Sequence, residues 1–215
     1  MLEEIKKKIV KELLTNVFER IQTEAEKGYV KEDITDILEI KSVKEVGKQF
    51  NYPVSNMTAT LLAKDVMRGL NYRGFDAIIR EPMYPEFDDT LETDYEVSFA
   101  NAILYFYSRY HDESIPKWLK DIINQFPHAR DYYEISCIHS GNRERFLRYD
   151  ISSQIDKAKD NNLDKLTYRF EQHDNDNPYL INHLKKYLKQ RYSDVNVTSD
   201  NNIVYININI KKEVL

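Results

Sequence analysis

Residues 195–198 and 204–210 each alternate between apolar and polar side chains, and this period of two predicts two strands of a β-sheet with one dry face. The apolar side of the longer strand consists of β-branched residues, which are Val204, Ile206, Ile208 and Ile210. The polar side carries Tyr205, Asn207 and Asn209, which we predict to face solvent or a protein partner. A slip of one residue would bury the asparagines, so the register of this strand is strongly specified.

A shorter strand and a helix precede this strand. Val195 and Val197 share the period of two, and residues 199–202 have the Asp and Asn side chains that tolerate the left-handed backbone of a tight turn. Upstream, Asn177 can cap a helix whose first position is taken by Pro178. The apolar side chains of this helix recur at helical spacing and are Leu180, Ile181, Leu184, Tyr187 and Leu188. The sequence therefore predicts a helix followed by an antiparallel hairpin.

A similar order of elements is predicted near the N-terminus. An amphipathic helix over 3–27 ends at Gly28, and a second helix from about Thr58 ends at Gly74 and leads into a strand over 75–80. Residues 29–57 are less regular, and within them Ile34, Ile37, Leu38 and Ile40 fit either a strand or a short helix.

Residues 70–79 align with residues 188–197, because Leu, Arg and Asp coincide at a joint between a helix and a strand in both. Before the second joint, a short helix is predicted over 152–159 and a strand around 166–170. The chain could therefore hold two helix–strand–helix–strand units. The alternative is that joints between helices and strands resemble one another in unrelated chains.

Residues 92–140, between these two stretches, are predicted to be helical. One helix would carry an aromatic face that includes Tyr95 and Phe99, and another would lie between Pro116 and Pro127. A third, shorter helix is predicted over 128–139.

We therefore expect a mixed segment over 1–90, a helical segment over 91–150 and a helix–strand–helix–hairpin segment over 151–215, or one compact domain that contains all three. The boundaries would fall in the acidic loop 82–89 and in the polar segment 141–150. The predicted fold class is α+β, predominantly helical, with a small antiparallel sheet that includes a C-terminal hairpin.

Composition and charge exclude several classes of function. The chain has 215 residues, a formal net charge of -5 and a pI of about 5.6, so its overall charge does not attract it to nucleic acid or to an anionic membrane. It has 5 glycines and no Walker or dinucleotide-binding pattern, so the usual nucleotide-binding loops are not expected. The sequence shows neither a secretory signal nor an apolar run that could span a bilayer, and its single cysteine fits a reducing compartment. We expect no membrane association and no cofactor.

Arginines and aromatic residues are mixed over residues 128–149, which is typical of surfaces that bind phosphates and stack bases. The candidate residues for binding nucleic acid or phosphate are Arg130, Arg143, Arg145 and Arg148. In the alternative interpretation, these arginines lie on an ordinary charged helix and turn. They would then pair with neighbouring acids, which are Asp131, Glu134, Glu144 and Asp150.

Three further patterns could carry chemistry. Glu39-Ile40-Lys41 has the Glu-x-Lys form of many metal-dependent nucleases, although alternating charges on a strand give the same tripeptide. The carboxylates of residues 81–94 could hold Mg²⁺ or Ca²⁺, but the calcium-loop spacing is absent and acids are common before a helix. His128 and His139 could act as acid and base, yet on one helix they would lie about 16 Å apart.

Cys137 sits between isoleucines, which predicts a buried, inert thiol. We therefore expect no catalytic residues and no metal site.

These observations favour a non-catalytic protein that acts through protein–protein interaction or assembly. The aromatic segment and the polar face of the last strand suit protein contacts. The wealth of Ile, Lys, Asn and Tyr is typical of AT-rich genomes and fits a phage or viral origin, with the host cytoplasm or a virion as location. The expected partner is another protein or a second copy of the chain. A nucleic-acid-binding module that uses the arginines is the first alternative, and a metal-dependent hydrolase or nuclease is the second.

Overall fold

The computed structural model describes residues 2–80, 93–99, 115–174 and 176–211. They fall into two compact units, which divide between Ser136 and Cys137. In each unit, helices pack on a three-stranded antiparallel sheet, which confirms the predicted α+β class. No helix in the described ranges has the length and hydrophobicity needed to cross a bilayer. The predicted division into three segments stays a prediction, since its first boundary lies outside these ranges.

The first unit is built around a long N-terminal helix. Its elements are α1 (Leu2–Glu26), β1 (Lys31–Asp33), α2 (Thr35–Leu38), α3 (Ile40–Gln49), α4 (Asn56–Tyr72), β2 (Asp76–Arg80), β3 (Asp94–Ser98), α5 (Lys117–Ile123) and most of α6 (Ala129–His139). Strand β3 is central and runs antiparallel to both β1 and β2. The apolar stripe predicted along the first helix is buried, and Gly28 follows α1 with a φ of 84°. The helix predicted over 3–27 is therefore confirmed.

The second unit has the helix and hairpin that the sequence predicts, but the helix begins at Leu180 after Tyr179, so Asn177 and Pro178 lie before its cap. Its elements are α7 (Arg143–Asp160), β4 (Lys165–Glu171), α8 (Leu180–Lys189), β5 (Val195–Asp200) and β6 (Ile203–Asn209). The apolar side of β6, from Val204 to Ile210, is at most 4% exposed. Asn201 and Asn202 have φ values of 47° and 65°, the left-handed pair that a tight type I′ turn requires. The predicted register and turn are both confirmed.

The two units share one order of elements. Each has a helix, an edge strand, helical structure, another edge strand and then a central strand, so that the sheet orders are β1-β3-β2 and β4-β6-β5; the helical structure between the edge strands consists of α2, α3 and α4 in the first unit and of α8 in the second. In the first unit, α1 contacts α4 and β1, and α4 contacts β2; in the second, α7 contacts α8 and β4, and α8 contacts β5. This order agrees with the two helix–strand–helix–strand units predicted from the sequence. Descent of both units from one duplicated segment stays a prediction.

The helix predicted from Tyr95 onward is wrong over 94–98, which form strand β3. Tyr95 and Val97 point inward and alternate with more exposed neighbours, a period of two that the longer aromatic run hides. The remainder of that predicted helix, from residue 100, lies outside the described residues.

The polar segment 141–150, predicted as a boundary, is helical from Arg143, so the predicted helix over 152–159 is only the second half of α7. The irregular stretch 29–57 contains a strand and two helices. Of the two alternatives for the apolar residues from Ile34 to Ile40, the helix is present, because they lie in or beside α2 and at the start of α3, and the strand β1 ends before them at Asp33.

Gly74 ends α4 in the left-handed region, with a φ of 84°. A Cβ added there would lie 2.4 Å from Cε1 of His128. We expect Gly74→Ala to lower the free energy of unfolding by about 2 kcal/mol, since the left-handed backbone alone costs a residue with a Cβ about 1–2 kcal/mol and His128 must also move. Urea denaturation followed by circular dichroism measures this loss.

Gly141→Ala is the matched control for this substitution. Gly141 also has a positive φ, of 73°, but nothing lies within 4 Å of its added Cβ. It should therefore show the backbone cost alone, about 1 kcal/mol. Equal losses in the two variants would show that the imidazole of His128 moves aside without cost.

Candidate functional site

The four arginines predicted to bind phosphate do not form one cluster. Arg130 belongs to the first unit, where its Nη1 lies 3.9 Å from Oδ1 of Asp131. Arg143 is buried in the second unit, with Nη1 2.8 Å from Oδ2 of Asp176. Arg145 and Arg148 lie together on the accessible side of α7 and line one surface groove. Two of the four predicted residues are therefore placed where a ligand could reach them as a pair.

The groove lies along α7 and α8 and consists of three adjoining depressions of about 420, 320 and 460 Å³, which share lining residues. Its cations come from both helices and are Arg145, Arg148, Lys185, Lys186 and Lys189. Its other lining residues are Gly141, Asn142, Glu144, Tyr149, Asn182, His183, Tyr187 and Gln190. We refer to it as the α7–α8 groove.

The amphipathic pattern of the two helices accounts for this placement. Helix α8 buries Leu180, Leu184 and Leu188, which leaves its lysines on the outside. Helix α7 buries Leu147 and Ile151 at helical spacing, and Arg145 and Arg148 lie on its more exposed side. Because the two helices contact each other, their polar faces adjoin and form a single charged surface.

Cations of the second unit lie over aromatic rings in and beside the groove. The guanidinium carbons of Arg148 and Arg191 lie 4.9 and 5.2 Å from the ring centre of Tyr187, and that of Arg145 lies 5.7 Å from the ring centre of Tyr149. Such contacts hold a guanidinium in place while its N–H groups remain able to donate. The arrangement presents pre-positioned donors for anionic oxygens.

The electrostatics of the groove are almost entirely positive. Among the described residues that line it, Glu144 is the only acid, against five Lys and Arg side chains. By contrast, two depressions of the first unit, of about 730 and 740 Å³, are lined by acids and bases together. We therefore take the α7–α8 groove as the candidate site.

The Glu-x-Lys pattern does not have the setting that a nuclease needs. Glu39 lies between α2 and α3 and precedes the first residue of α3, so Lys41 is on a helix and not on a strand. Asp33, the last residue of β1, accepts a hydrogen bond from the backbone N–H of Thr35, 2.9 Å away, and its hydrogen bonds with Thr35 lower its pKa. In the described part of the chain, no group of three or more His, Cys, Asp or Glu residues could hold a metal ion.

The remaining candidate groups have structural places or lie outside the description. His128 packs against Gly74, and His139 is exposed at the end of α6. Cys137 is buried, as predicted. Residues 81–92, which hold most of the acidic loop, lie outside the described ranges.

The residues predicted to contact a protein partner lie on the outer face of the second sheet. Asn207 is exposed, and Tyr205 and Asn209 are half-buried. By contrast, Tyr95 and Phe99, which were part of the predicted aromatic contact surface, are only 5% and 1% exposed and belong to the core of the first unit. At these two positions, the aromatic side chains contribute to stability and not to an exposed surface.

The sequence interpretation missed the contribution of α8 to the site. The sequence pattern assigns Tyr187 to the apolar face of the helix and selects neither Lys186 nor His183 as a candidate ligand. The lysines of α8 are visible in the sequence, but only the tertiary contact between α8 and α7 brings them beside Arg145 and Arg148.

The chain matches no known protein family, no curated protein and no solved structure. We therefore infer its function from the geometry and charge of the groove.

Proposed function

We propose that the second unit binds nucleic acid through the α7–α8 groove. The observation that carries this proposal is the convergence of five cations from two helices, with aromatic rings beside them, on a groove whose described lining residues include a single acid. Lys and Arg side chains bind phosphate oxygens, and this contact supplies most of the affinity for nucleic acid in many proteins. Arginines whose guanidinium groups lie against tyrosine rings add donors in a fixed orientation.

The distribution of charge along the chain supports this proposal. Residues 1–136 carry 18 Lys and Arg against 25 Asp and Glu, a net charge of -7, whereas residues 137–215 carry 13 against 11, a net charge of +2. The overall charge of -5 therefore comes from the first unit. A polyanion that meets the second unit encounters a positive local field.

Exposed tyrosines favour a single strand over a duplex as the ligand. Tyr149 is 41% exposed and lines the groove, and Tyr179, at the start of α8, is 64% exposed. The ring of Tyr179 stacks on His183, with ring centres 6.2 Å apart. Unpaired bases can stack on such rings, which contributes about 1–3 kcal/mol per base, whereas paired bases cannot reach them.

Reversing the charge of two side chains of the groove tests the proposal. We expect Arg145→Glu with Lys186→Glu to weaken binding of a labelled single-stranded oligonucleotide by a factor of about 10 to 100 at low salt, because two phosphate contacts become repulsive. The slope of log K against log salt should also fall by about 0.7 for each phosphate that the protein no longer neutralises. Fluorescence anisotropy at several salt concentrations measures both quantities, and a duplex of the same sequence should bind more weakly.

Lys165→Glu with Arg169→Glu makes the same change of charge on the outer face of the second sheet, where both residues are exposed and outside the groove. This control should reduce affinity by no more than about threefold, the effect of net charge alone. Absence of binding by the unaltered protein at low salt would overturn the proposal, and so would an equal loss in both double variants.

A protein contact on the outer face of the second sheet is the second candidate. Tyr205 lies between Arg169 on β4 and Thr198 on β5, and Thr167 Oγ1 donates to Asn207 Oδ1 at 2.8 Å. This polar face with one aromatic ring suits self-association or a protein partner. Light scattering of the purified protein, with the 260/280 nm absorbance ratio of the same peak, distinguishes a defined oligomer free of nucleic acid from a monomer that carries it.

A further inference from the structure

Glu144 joins the two helices of the groove through both of its carboxylate oxygens. Oε1 accepts a hydrogen bond from Nη2 of Arg148, one turn further along α7. Oε2 lies 2.8 Å from Nδ1 of His183 on α8. The only acid that lines the groove in the described part of the chain therefore occupies two of its donors at once.

The position of this carboxylate has the chemistry of a phosphate site. Two oxygens of a phosphate group can take the same two donors, and the guanidinium fork of arginine matches phosphate as well as carboxylate. Further cations lie around the position, because Lys186 lines the groove beside Arg148 and His183, and Arg145 lines it beside Glu144. A phosphate at this position would be held by more positive charge than a single carboxylate can balance.

A competing anion can also replace the Glu144 carboxylate in its contacts with Arg148 and His183. The side chains of Glu144, Arg148 and His183 are 26%, 41% and 46% exposed. Ion pairs at this level of exposure contribute little to stability, because water and salt compete for both partners. Rotation of the Glu144 side chain would release the donors without any change in the helices.

We propose that Glu144 occupies the place of a phosphate group and sets the affinity of the α7–α8 groove. A phosphate of the bound nucleic acid displaces the carboxylate and binds between Arg148 and His183. This inference rests on the proposed function, which it deepens by naming the position of one phosphate and the residue that competes with it.

Glu144→Gln tests the competition directly. Glutamine keeps the shape of the side chain but removes the charge, so a phosphate no longer displaces a carboxylate. We expect the variant to bind the single-stranded oligonucleotide about fivefold more tightly than the unaltered protein at low salt, the effect of removing one screened charge a few ångströms from a phosphate. Asp156→Asn is the matched control, because it removes one negative charge from the same helix at an exposed position outside the groove and should leave the affinity nearly unchanged.

A second measurement uses inorganic phosphate and does not depend on nucleic acid. The imidazole resonances of His183, one of 5 histidines, can be assigned by comparison with a His183→Gln variant. Titration with phosphate should shift these resonances in the Glu144→Gln protein at about one fifth of the phosphate concentration that the unaltered protein needs. The resonances of His139, which is exposed and lies outside the groove, should move little.

The outcomes separate this inference from the function on which it rests. Oligonucleotide binding that is lost with Arg145→Glu and Lys186→Glu, but equal in Glu144→Gln and Asp156→Asn, would overturn the inference and leave nucleic-acid binding in place. Phosphate that leaves His183 unaffected in the Glu144→Gln protein would also overturn it. Absence of oligonucleotide binding by every variant would overturn the proposed function, and with it the inference.

Discussion

Replacing Arg143 with methionine is expected to lower the free energy of unfolding by about 3–5 kcal/mol, because the change leaves a buried carboxylate without its cation. The side chains of Arg143 and Asp176 are only 4% and 1% exposed. Arg143 also donates through Nη2 to the backbone oxygen of Glu171, 2.6 Å away, so one side chain ties the start of α7 to the connection that follows β4. Methionine keeps a long, apolar side chain, so the loss should come from the charge and the hydrogen bonds more than from a cavity. Urea denaturation followed by circular dichroism measures it.

Arg145→Met is the control for this substitution. Arg145 lies on the same helix but is exposed, so its replacement should change the free energy of unfolding by less than about 0.5 kcal/mol. Hydrogen exchange should also show that Arg143→Met loosens residues 171–177, where the backbone N–H of His173 donates to Asp176 Oδ2 at 2.9 Å. A loss below about 1 kcal/mol in Arg143→Met, or unchanged exchange in that connection, would contradict a stabilising role for the buried pair.

The sequence predicts that Arg143 binds phosphate because it lies among arginines and aromatic residues, and arginine is ordinarily a surface residue. Arg143 can be buried because it pairs with Asp176, which lies 33 residues further along the chain and which no local pattern indicates. Only the fold brings the two charges together. The sequence pattern therefore selects a region of α7 that lines the groove, but it does not distinguish the inward arginine from the outward pair, Arg145 and Arg148.

Elements whose signal is local were predictable. The last strand and the first helix each repeat one period over enough residues to exclude the other type of element. The turn before the last strand is predicted by its two asparagines, which tolerate a left-handed backbone. Residues 31–38 contain no such run, because β1 has only 3 residues and α2 only 4. Strand β3 was missed for a related reason, since its alternation of Tyr95 and Val97 borders a longer aromatic run that also fits a helix.

Only the part of the candidate site that lies on α7 could be predicted from the sequence, because the site is formed by side chains of two helices. Arg145 and Arg148 could be selected from their spacing beside aromatic residues, but the cations of α8 could be joined to them only by tertiary contact. The net charge of the whole chain also argues against nucleic-acid binding when it is considered alone. The acids that produce this charge lie mostly in the first unit, and a sum over the chain hides the positive second unit.

Replacing Phe75 with alanine is expected to lower the free energy of unfolding by about 3–5 kcal/mol, because it opens a cavity in a closely packed aromatic core. Phe75 is fully buried, and its ring centre lies 5.6 Å from that of Phe18, 6.2 Å from that of Phe99 and 5.9 Å from that of Tyr132. Burial raises the pKa of Tyr132 to about 12, as expected where water does not reach the phenol. These rings come from distant parts of the chain, so the substitution removes packing that holds several elements together.

Two further substitutions distinguish a packing effect from a general sensitivity to truncation. Phe75→Leu keeps most of the volume and should lose about 1–2 kcal/mol, whereas Tyr29→Ala removes a ring that is 59% exposed and should change the free energy of unfolding by less than about 0.5 kcal/mol. Fluorescence of Trp118, the single tryptophan, follows the transition, because this residue packs against the same core. Equal losses for Phe75→Ala and Phe75→Leu would mean that the neighbouring rings close over the cavity. The cluster would then behave as an adaptable apolar interior, and the edge-to-face contacts of Phe75 would add little beyond the area they bury.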